Sequence, residues 1–424
     1  MSKKLLIISP YFPPVNAADM QRVRMSLPYF AENGWDVEVV AVAPQYTDIN
    51  QDELLLQTVP DSVIVHHVKA LRKQFTSKLG LGSIALRSFW YYKQKVNHLL
   101  KTRHYDLIYF STTQFPVCVL GAYWKKRFGI PYVIDLQDPW HSDYYLHKNK
   151  KDRPPKYWFS YRLNKYLEPI ALKNADGLIS VSQAYIVQIQ TRYPEITSIP
   201  TAVITFGGFA ADMGVALSNR GLFKPLLPEH TINIVYIGRG GKDFHLAISP
   251  FFEAFSAAIK NHPKQYADFR FHFIGTSYAT SGQGRPTIMP LARQFGLESF
   301  VIEQTDRISY YHTLITLLKA NALFIPGSDD PAYTGSKIYP YLLCRKPLLA
   351  ILHKESSAGQ ILKACGAAHV YNYEHISLRE VHLFFEELRC GTLKNPDYNA
   401  AVIHQYSAEV MTNVQSNLFD QVIQ

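Results

Sequence analysis

Apolar residues in the first half of the chain come in short unbroken runs, with polar stretches of helical spacing between them. Leu5-Leu-Ile-Ile-Ser reads as a buried strand, residues 10–18 as a loop, and residues 19–33 as a helix closed by Gly34. Val37-Glu-Val-Val-Ala-Val then reads as a second strand, and strand, helix and strand at this spacing make a βαβ unit. The alternation continues through Val63–Val68, a basic helical region, Leu107–Phe110, a helix over 117–128, Tyr132–Leu136 and Gly177–Ser182. Strands that are apolar throughout, separated by helices, belong to a parallel sheet covered on both faces.

Near residues 203–230 the pattern lapses into Phe206-Gly-Gly-Phe, Gly214, Gly221, Pro225 and Pro228, which reads as a linker. A second alternating series then begins at Ile232-Asn-Ile-Val-Tyr-Ile-Gly and runs through Phe269–Gly275, Phe300–Ile302, Ala322–Pro326 and Pro347–Ile351. The expected organisation is an α/β chain of two Rossmann-like domains, residues 1–205 and 206–398, with a C-terminal helix over 399–424 that packs back on the first. Parallel sheets of this kind bind ligands at the carboxyl ends of their strands, so a central cleft faced by both sheets is expected. The length agrees: 424 residues exceed one ordinary domain.

Composition narrows the classes. Hydrophobic residues are 47% and charged residues 18%, against intrinsic disorder and against a coiled coil. No run of 18 apolar residues occurs, and the N-terminal apolar run is too short for a signal-peptide core, so the expected address is cytoplasmic. Cys118, Cys344, Cys365 and Cys390 lie far apart and suggest neither a zinc knuckle nor a disulfide framework.

The net charge of +10 is uneven: residues 1–205 hold 25 basic and 16 acidic side chains, the remainder 19 and 18. Residues 70–104 carry Arg72, Lys73, Lys78, Arg87, Lys93, Lys95, Lys101 and Arg103 with no acid, interleaved with Phe75, Phe89 and Trp90. Residues 144–166 carry seven basic side chains against Asp152 alone, beside Tyr157, Trp158, Phe159 and Tyr161. Such stretches suit an anionic membrane surface, nucleic acid, or an ordinary solvated helix face. No nucleic-acid motif accompanies them, and nucleic acid is not an expected partner.

Candidate chemistry sits at strand ends. Gly238-Arg239-Gly240-Gly241-Lys242 follows the first strand of the second series, where small residues let a ligand approach and two cations stand near. Gly238-Arg239-Gly240-Gly241 by itself also makes an ordinary turn. Downstream, Thr334-Gly335-Ser336-Lys337 precedes a helical run, a place where backbone N–H groups and a lysine attract phosphate. In the first domain Asp138-Pro139-Trp140 follows a strand and is either a catalytic or ligand-binding aspartate or an Asx-type turn. Asp19 fits a helix N-cap, with Arg22 or Arg24 set to meet an acceptor phosphate. Asp329-Asp330 looks like a metal pair but has no third ligand in sequence and reads as a solvated loop. His141, His147 and His312 read as surface or packing residues.

The ordered set of Ile8-Ser-Pro-Tyr-Phe-Pro-Pro-Val-Asn, Pro131-Tyr-Val-Ile-Asp-Leu-Gln-Asp-Pro-Trp, Ala175-Asp-Gly-Leu-Ile-Ser-Val-Ser, Gly238-Arg239, and Gly335-Ser-Lys-Ile-Tyr-Pro-Tyr-Leu with Arg345-Lys-Pro-Leu resembles the retaining GT-B glycosyltransferases of the family 4 type. The resemblance implies a nucleotide-sugar donor, UDP- or GDP-linked, held by the second domain, and a glycan or lipid-linked acceptor held by the first. No metal and no cofactor besides the donor is implied. It places Arg239 and Lys337 on the diphosphate, with Gly238, Lys242, Thr334, Gly335 and Ser336 around it, makes Asp138 and Gln137 the catalytic candidates, and sets Asn16, Asp19, Arg22 and Arg24 at the acceptor. Three positions depart from the family pattern: Ala17-Ala18 replaces a glycine pair, Gln137 a histidine, and Pro340 the glutamate that holds the donor ribose. A non-catalytic nucleotide-sugar scaffold and a sugar-nucleotide epimerase are the rival readings. The transferase reading carries an expected location on the inner face of the membrane, as a peripheral protein.

Overall fold

The computed structural model describes residues 2–76, 80–141, 143, 146, 153, 157–279, 282–329 and 338–424. The chain divides into two compact units, Met1–Gly207 with Ala408–Gln424, and Gly208–Ser407. The breaks thus fall at 207 and 407 rather than at 205 and 398.

Unit 1 contains strands β1 (Lys3–Ile8), β2 (Trp35–Val42), β3 (Ile64–Val68), β4 (Leu107–Ser111), β5 (Tyr132–Leu136), β6 (Gly177–Ser180) and β7 (Thr201–Val203). Its helices are α1 (Gln21–Phe30), α2 (Lys73–Thr76), α3 (Ile84–Thr102), α4 (Val119–Phe128), α5 (Tyr157–Leu172) and α6 (Gln183–Arg192). Unit 2 contains β8 (Ile232–Ile237), β9 (Phe269–Ile274), β10 (Val301–Gln304), β11 (Ala322–Pro326), β12 (Leu348–Leu352) and β13 (His369–Asn372). Its helices are α7 (Ala210–Ser218), α8 (His245–Asn261), α9 (Met289–Gln294), α10 (Tyr310–Lys319), α11 (Ile338–Cys344), α12 (Ser357–Ala364), α13 (Leu378–Arg389) and α14 (Ala400–His404). The last helix, α15 (Ala408–Ile423), returns to unit 1.

Every strand pairs in parallel, in the orders β3-β2-β1-β4-β5-β6-β7 and β10-β9-β8-β11-β12-β13. The central strands are buried along their length, as β4, β5, β11 and β12 show, because helices cover both faces. In each sheet the order reverses beside the first strand, between β1 and β4 and between β8 and β11. A crevice opens at that reversal, outside the strands' carboxyl ends.

Three sequence expectations change. The linker region holds α7, a nine-residue helix whose buried Asp212 accepts hydrogen bonds from the Tyr310 and Tyr311 hydroxyls at 2.9 and 3.0 Å. The terminal helical run is two helices, α14 in unit 2 and α15 in unit 1, and the edge strands β7 and β13 were not apparent from pattern. The third concerns Asp19. The N-cap of α1 is Met20 and makes no side-chain cap, while the Asp19 carboxylate reaches across the sheet edge instead.

α15 completes the unit 1 core. The Phe419 ring packs against Phe30, Trp35 and Tyr109 at centroid distances of 6.2, 5.7 and 4.9 Å. Gln415 Nε2 donates to Ser26 Oγ at 2.8 Å, and Asp420 accepts from Trp35 Nε1 at 3.1 Å and pairs with Lys3. Among the described residues no helix is long and apolar enough to cross a membrane.

Candidate functional site

At the reversal point of unit 1, three loops are tied together at one buried residue, Asp19. Asp19 Oδ2, on the loop after β1, accepts from Thr112 Oγ1 at 2.9 Å, Thr113 N at 3.1 Å and Thr113 Oγ1 at 3.2 Å on the loop after β4. Gln137, on the loop after β5, donates through Nε2 to the Asp19 carbonyl at 3.1 Å. Burial pushes the Asp19 carboxyl pKa up, and the Thr112 and Thr113 hydrogen bonds offset part of that.

Beneath the loops lies a buried ion pair. Arg22 Nε stands 2.6 Å from Asp135 Oδ2, and both side chains are almost fully enclosed. Asp135 Oδ2 also accepts from Ser111 Oγ at 2.9 Å, Gln137 Nε2 at 3.0 Å and the Tyr109 hydroxyl at 3.3 Å. The other end of Arg22 donates to the carbonyls of Ile204 at 2.7 Å and Thr205 at 3.3 Å, and its guanidinium lies 5.2 Å from the Phe206 ring centroid. Arg24 is buried too, bonded to Thr58 Oγ1 at 2.6 Å and twice to Gln21 Oε1. The expectation that Arg22 or Arg24 meets an acceptor phosphate is therefore corrected, since each guanidinium is committed inside the unit. Asp135 was missed; its place on an apolar strand, where a lone carboxylate needs a cation, was the available signal.

The other candidates of this edge differ in exposure. Asp138 reaches solvent, yet the protein packed around its carboxyl, and then the charge of Asp19, push its pKa up. Gln137 is buried, and its Oε1 has no hydrogen-bond donor among the described residues. Asn16 is half-buried, its backbone N–H on the Asn50 carbonyl at 2.9 Å.

At the reversal point of unit 2, Arg239 follows β8. It donates through Nη1 and Nη2 to Asp243 at 3.1 and 2.7 Å and lies over the Phe244 ring at 4.4 Å. Asp243 also accepts from Ser328 Oγ at 2.8 Å, and its carbonyl accepts from Asp329 N at 2.9 Å. Burial works against ionisation of Asp243, but the bonds from Arg239 and Ser328 prevail and hold its pKa below the usual value. Asp243 thereby joins the β8 turn to the loop that leaves β11. It stands four residues beyond Arg239, a spacing that pairs charges on a helical turn.

The glycines of this turn make room for the protein's own side chains. A Cβ at Gly238 would lie 2.4 Å from the Tyr236 hydroxyl, which donates to the Arg239 carbonyl at 2.9 Å, and one at Gly241 would lie 2.2 Å from Asp243 Oδ1. Lys242 is exposed. Thr334, Gly335, Ser336 and Lys337, with Asp330, lie outside the described residues, as does His147. Pro340 stands in the first turn of α11, where a missing N–H is tolerated. His141 is buried against the Tyr161 ring, and His312 Nε2 meets the Lys224 carbonyl at 2.9 Å. Among the described residues no three His, Cys, Asp or Glu side chains gather as a metal site.

Two parallel doubly wound sheets, each with polar groups gathered at its reversal point, define the GT-B class of fold. Residues 22–205 match the family described as Glycosyltransferase Family 4, so unit 1 carries a domain of that family and the protein is a glycosyltransferase. No curated protein matches the sequence. Solved structures share the fold over nearly the whole chain. HepE of Anabaena, in complex with UDP, is 16% identical with a TM-score of 0.51, covering 99% of this chain and 95% of its own. The E. coli trehalose-6-phosphate protein bound with UDP-2-fluoro glucose is 11% identical with a TM-score of 0.54, covering 99% and 97%. The lipopolysaccharide outer core galactosyltransferase WaaB is 11% identical with a TM-score of 0.52, covering 98% and 98%.

Proposed function

We propose that this glycosyltransferase moves a hexose-type sugar from a UDP- or GDP-sugar to a glycan or lipid-linked acceptor, with retention of anomeric configuration. The observation that carries the reading is the Arg239–Asp243–Ser328 chain, which sets a guanidinium at the unit 2 reversal point and ties it to the loop leading toward Lys337. HepE and the E. coli protein, of the same fold, are described with UDP and a UDP-sugar, which supports a uridine donor. Arg239 and Lys337 are assigned to the diphosphate and stabilise the charge that grows on the departing nucleotide. Gly238, Lys242, Thr334, Gly335 and Ser336 complete the donor set.

Unit 1 supplies the acceptor side. Asp138 is assigned the catalytic carboxylate, and Gln137, its neighbour in sequence, is assigned a catalytic role beside it. Asn16 lines the same edge. Asp19 acts through the loops it binds rather than by touching substrate. Attack on the face that the leaving group vacates gives retention, and side-chain cations rather than a metal neutralise the diphosphate, so transfer is expected to persist in chelator.

The test is calorimetric titration of UDP and GDP. Lys337→Ala removes a charge-assisted hydrogen bond worth roughly 1.5–3 kcal/mol, a loss of about 10- to 150-fold in affinity. Arg239→Ala falls at the low end, because the native guanidinium gives up Asp243 to engage phosphate, and Asp243→Asn tightens binding. Unchanged affinity in both cation variants, with circular dichroism intact, refutes the donor site. Analysis of products separates transfer to a second molecule from epimerisation of the donor.

A further inference from the structure

Unit 1 holds an open groove of about 420 Å³ between the start of α3, the loop after β4 and the first half of α5. Five apolar side chains, Leu86, Phe115, Pro116, Phe159 and Leu163, line it, with five polar ones, Thr113 and Asn164 among them. This volume lies within the roughly 300–1,000 Å³ of small-molecule sites, and the mixed lining suits a ligand with both an apolar and a polar part. The loop after β4 leaves the carboxyl end of its strand, the edge that carries Asp19 and Asp138.

Two contacts join it to that edge. Thr113 binds Asp19 through its N–H and its hydroxyl. The Phe115 ring stacks on Trp140, two residues beyond Asp138, with centroids 5.2 Å apart.

The helices that wall the groove also carry large rings into solvent. Trp90 on α3 is 60% exposed, and Trp158 and Tyr166 on α5 are 66% and 69% exposed. Cations accompany them: Lys93 Nζ lies 5.8 Å from the Trp90 ring, and the Arg162 guanidinium 5.8 Å from the Trp158 ring. Indoles in solvent beside lysine and arginine are poorly explained by a helix that only packs inward. They match the interface of an anionic bilayer, where rings enter the head-group layer and cations meet phosphates.

We infer that the groove receives the apolar portion of an amphiphilic acceptor, whose polar head is presented toward Asp138 and whose chain arrives from the lipid surface on which α3 and α5 rest. The inference rests on the transferase reading and narrows its acceptor from a glycan or lipid-linked molecule to the lipid-linked kind. A purely hydrophilic glycan gives the five apolar lining residues nothing to bury.

The experiment compares decyl β-D-glucoside, kept below its micellar concentration, with methyl β-D-glucoside by calorimetry on the full chain. Each methylene taken from water contributes about fourfold in affinity, so three or more buried methylenes make the decyl compound at least tenfold tighter. Leu163→Trp, which fills the groove, abolishes the preference, and Asn164→Trp serves as a second blocking variant with the same expectation. Trp158→Ser, on the outer face, keeps it. Equal binding of the two glucosides, a preference that survives both tryptophan variants, or one lost in Trp158→Ser overturns the inference. UDP titrated into the same proteins judges the donor site separately: the glucoside result decides the groove, and absent UDP binding throughout counts against the transferase reading alone.

Discussion

The Arg22–Asp135 pair offers the sharpest test of how unit 1 is held together. At 2.6 Å and an effective dielectric constant near 20, the attraction is about 6 kcal/mol, and the cost of desolvating two ions is of similar size. The intact pair therefore adds little net stability, whereas removing one partner leaves the other enclosed and uncompensated. Asp135→Leu strands the guanidinium and takes an acceptor from Ser111, Tyr109 and Gln137, and the expected loss is about 3–5 kcal/mol. For a unit of 150–250 residues each kcal/mol lowers the melting temperature by about 2–4 °C, so the shift is on the order of 10 °C. Arg22→Met has a similar effect, since it also strips the Ile204 and Thr205 carbonyls of their donor. The double variant Arg22→Met/Asp135→Leu recovers about 2–3 kcal/mol relative to the sum of the singles. The assay is a double-mutant cycle by thermal unfolding, following the unit 1 transition where the two units melt separately. Additive single-variant losses would refute the reasoning, because the two ions would then not be acting on each other.

Other expectations follow from the same edge. With its pKa raised above the ordinary 3.8, Asp138 loses its charge at higher pH than a free carboxylate does, so the acid limb of kcat lies above that value and vanishes in Asp138→Asn, as a pH–rate profile checks. Asp19→Leu leaves three donors of Thr112 and Thr113 unsatisfied, at about 1–3 kcal/mol for each that water fails to reach. Asp19→Asn keeps an acceptor oxygen and costs much less, measured by denaturant unfolding. Binding to vesicles of anionic lipid falls in Trp90→Ser/Trp158→Ser and falls again as salt rises, and sedimentation that is equal on neutral vesicles contradicts the membrane face.

The parallel sheets were readable because fully buried strands are apolar at every position, as in Leu348–Leu352, and need no partner to be recognised. The edge strands β7 and β13 were not: Thr201–Val203 is three residues long and largely open, and carries no such signature. The linker reading failed at α7 because glycine and proline flank a stretch, Ala210–Ser218, whose own residues favour a helix. At the site, Arg239 was found from its place after a strand, but Asp243 was not, though it lies four residues on. The role of Asp19 was hidden for a different reason. Its partners are 93 and 94 residues distant in sequence, and local pattern favours the N-cap that the fold does not use. The charge of residues 70–104 was also overread, since Arg87 is buried on the Leu71 and Tyr46 carbonyls, Arg103 pairs with Glu38 and Lys73 with Asp48.

The return of α15 to unit 1 bears on how the protein is made. Unit 2 is one continuous stretch, so every contact it needs has been synthesised by Ser407. Unit 1 is begun first and finished last, because Phe30, Trp35 and Tyr109 wait for Phe419 across more than three hundred residues of intervening synthesis. During that interval its nascent form carries an uncovered aromatic patch, the kind of surface that chaperones hold and that promotes aggregation. A stop codon after Ser407 would leave that patch permanently open, and the damage would appear in unit 1 although the lesion lies beyond the whole of unit 2.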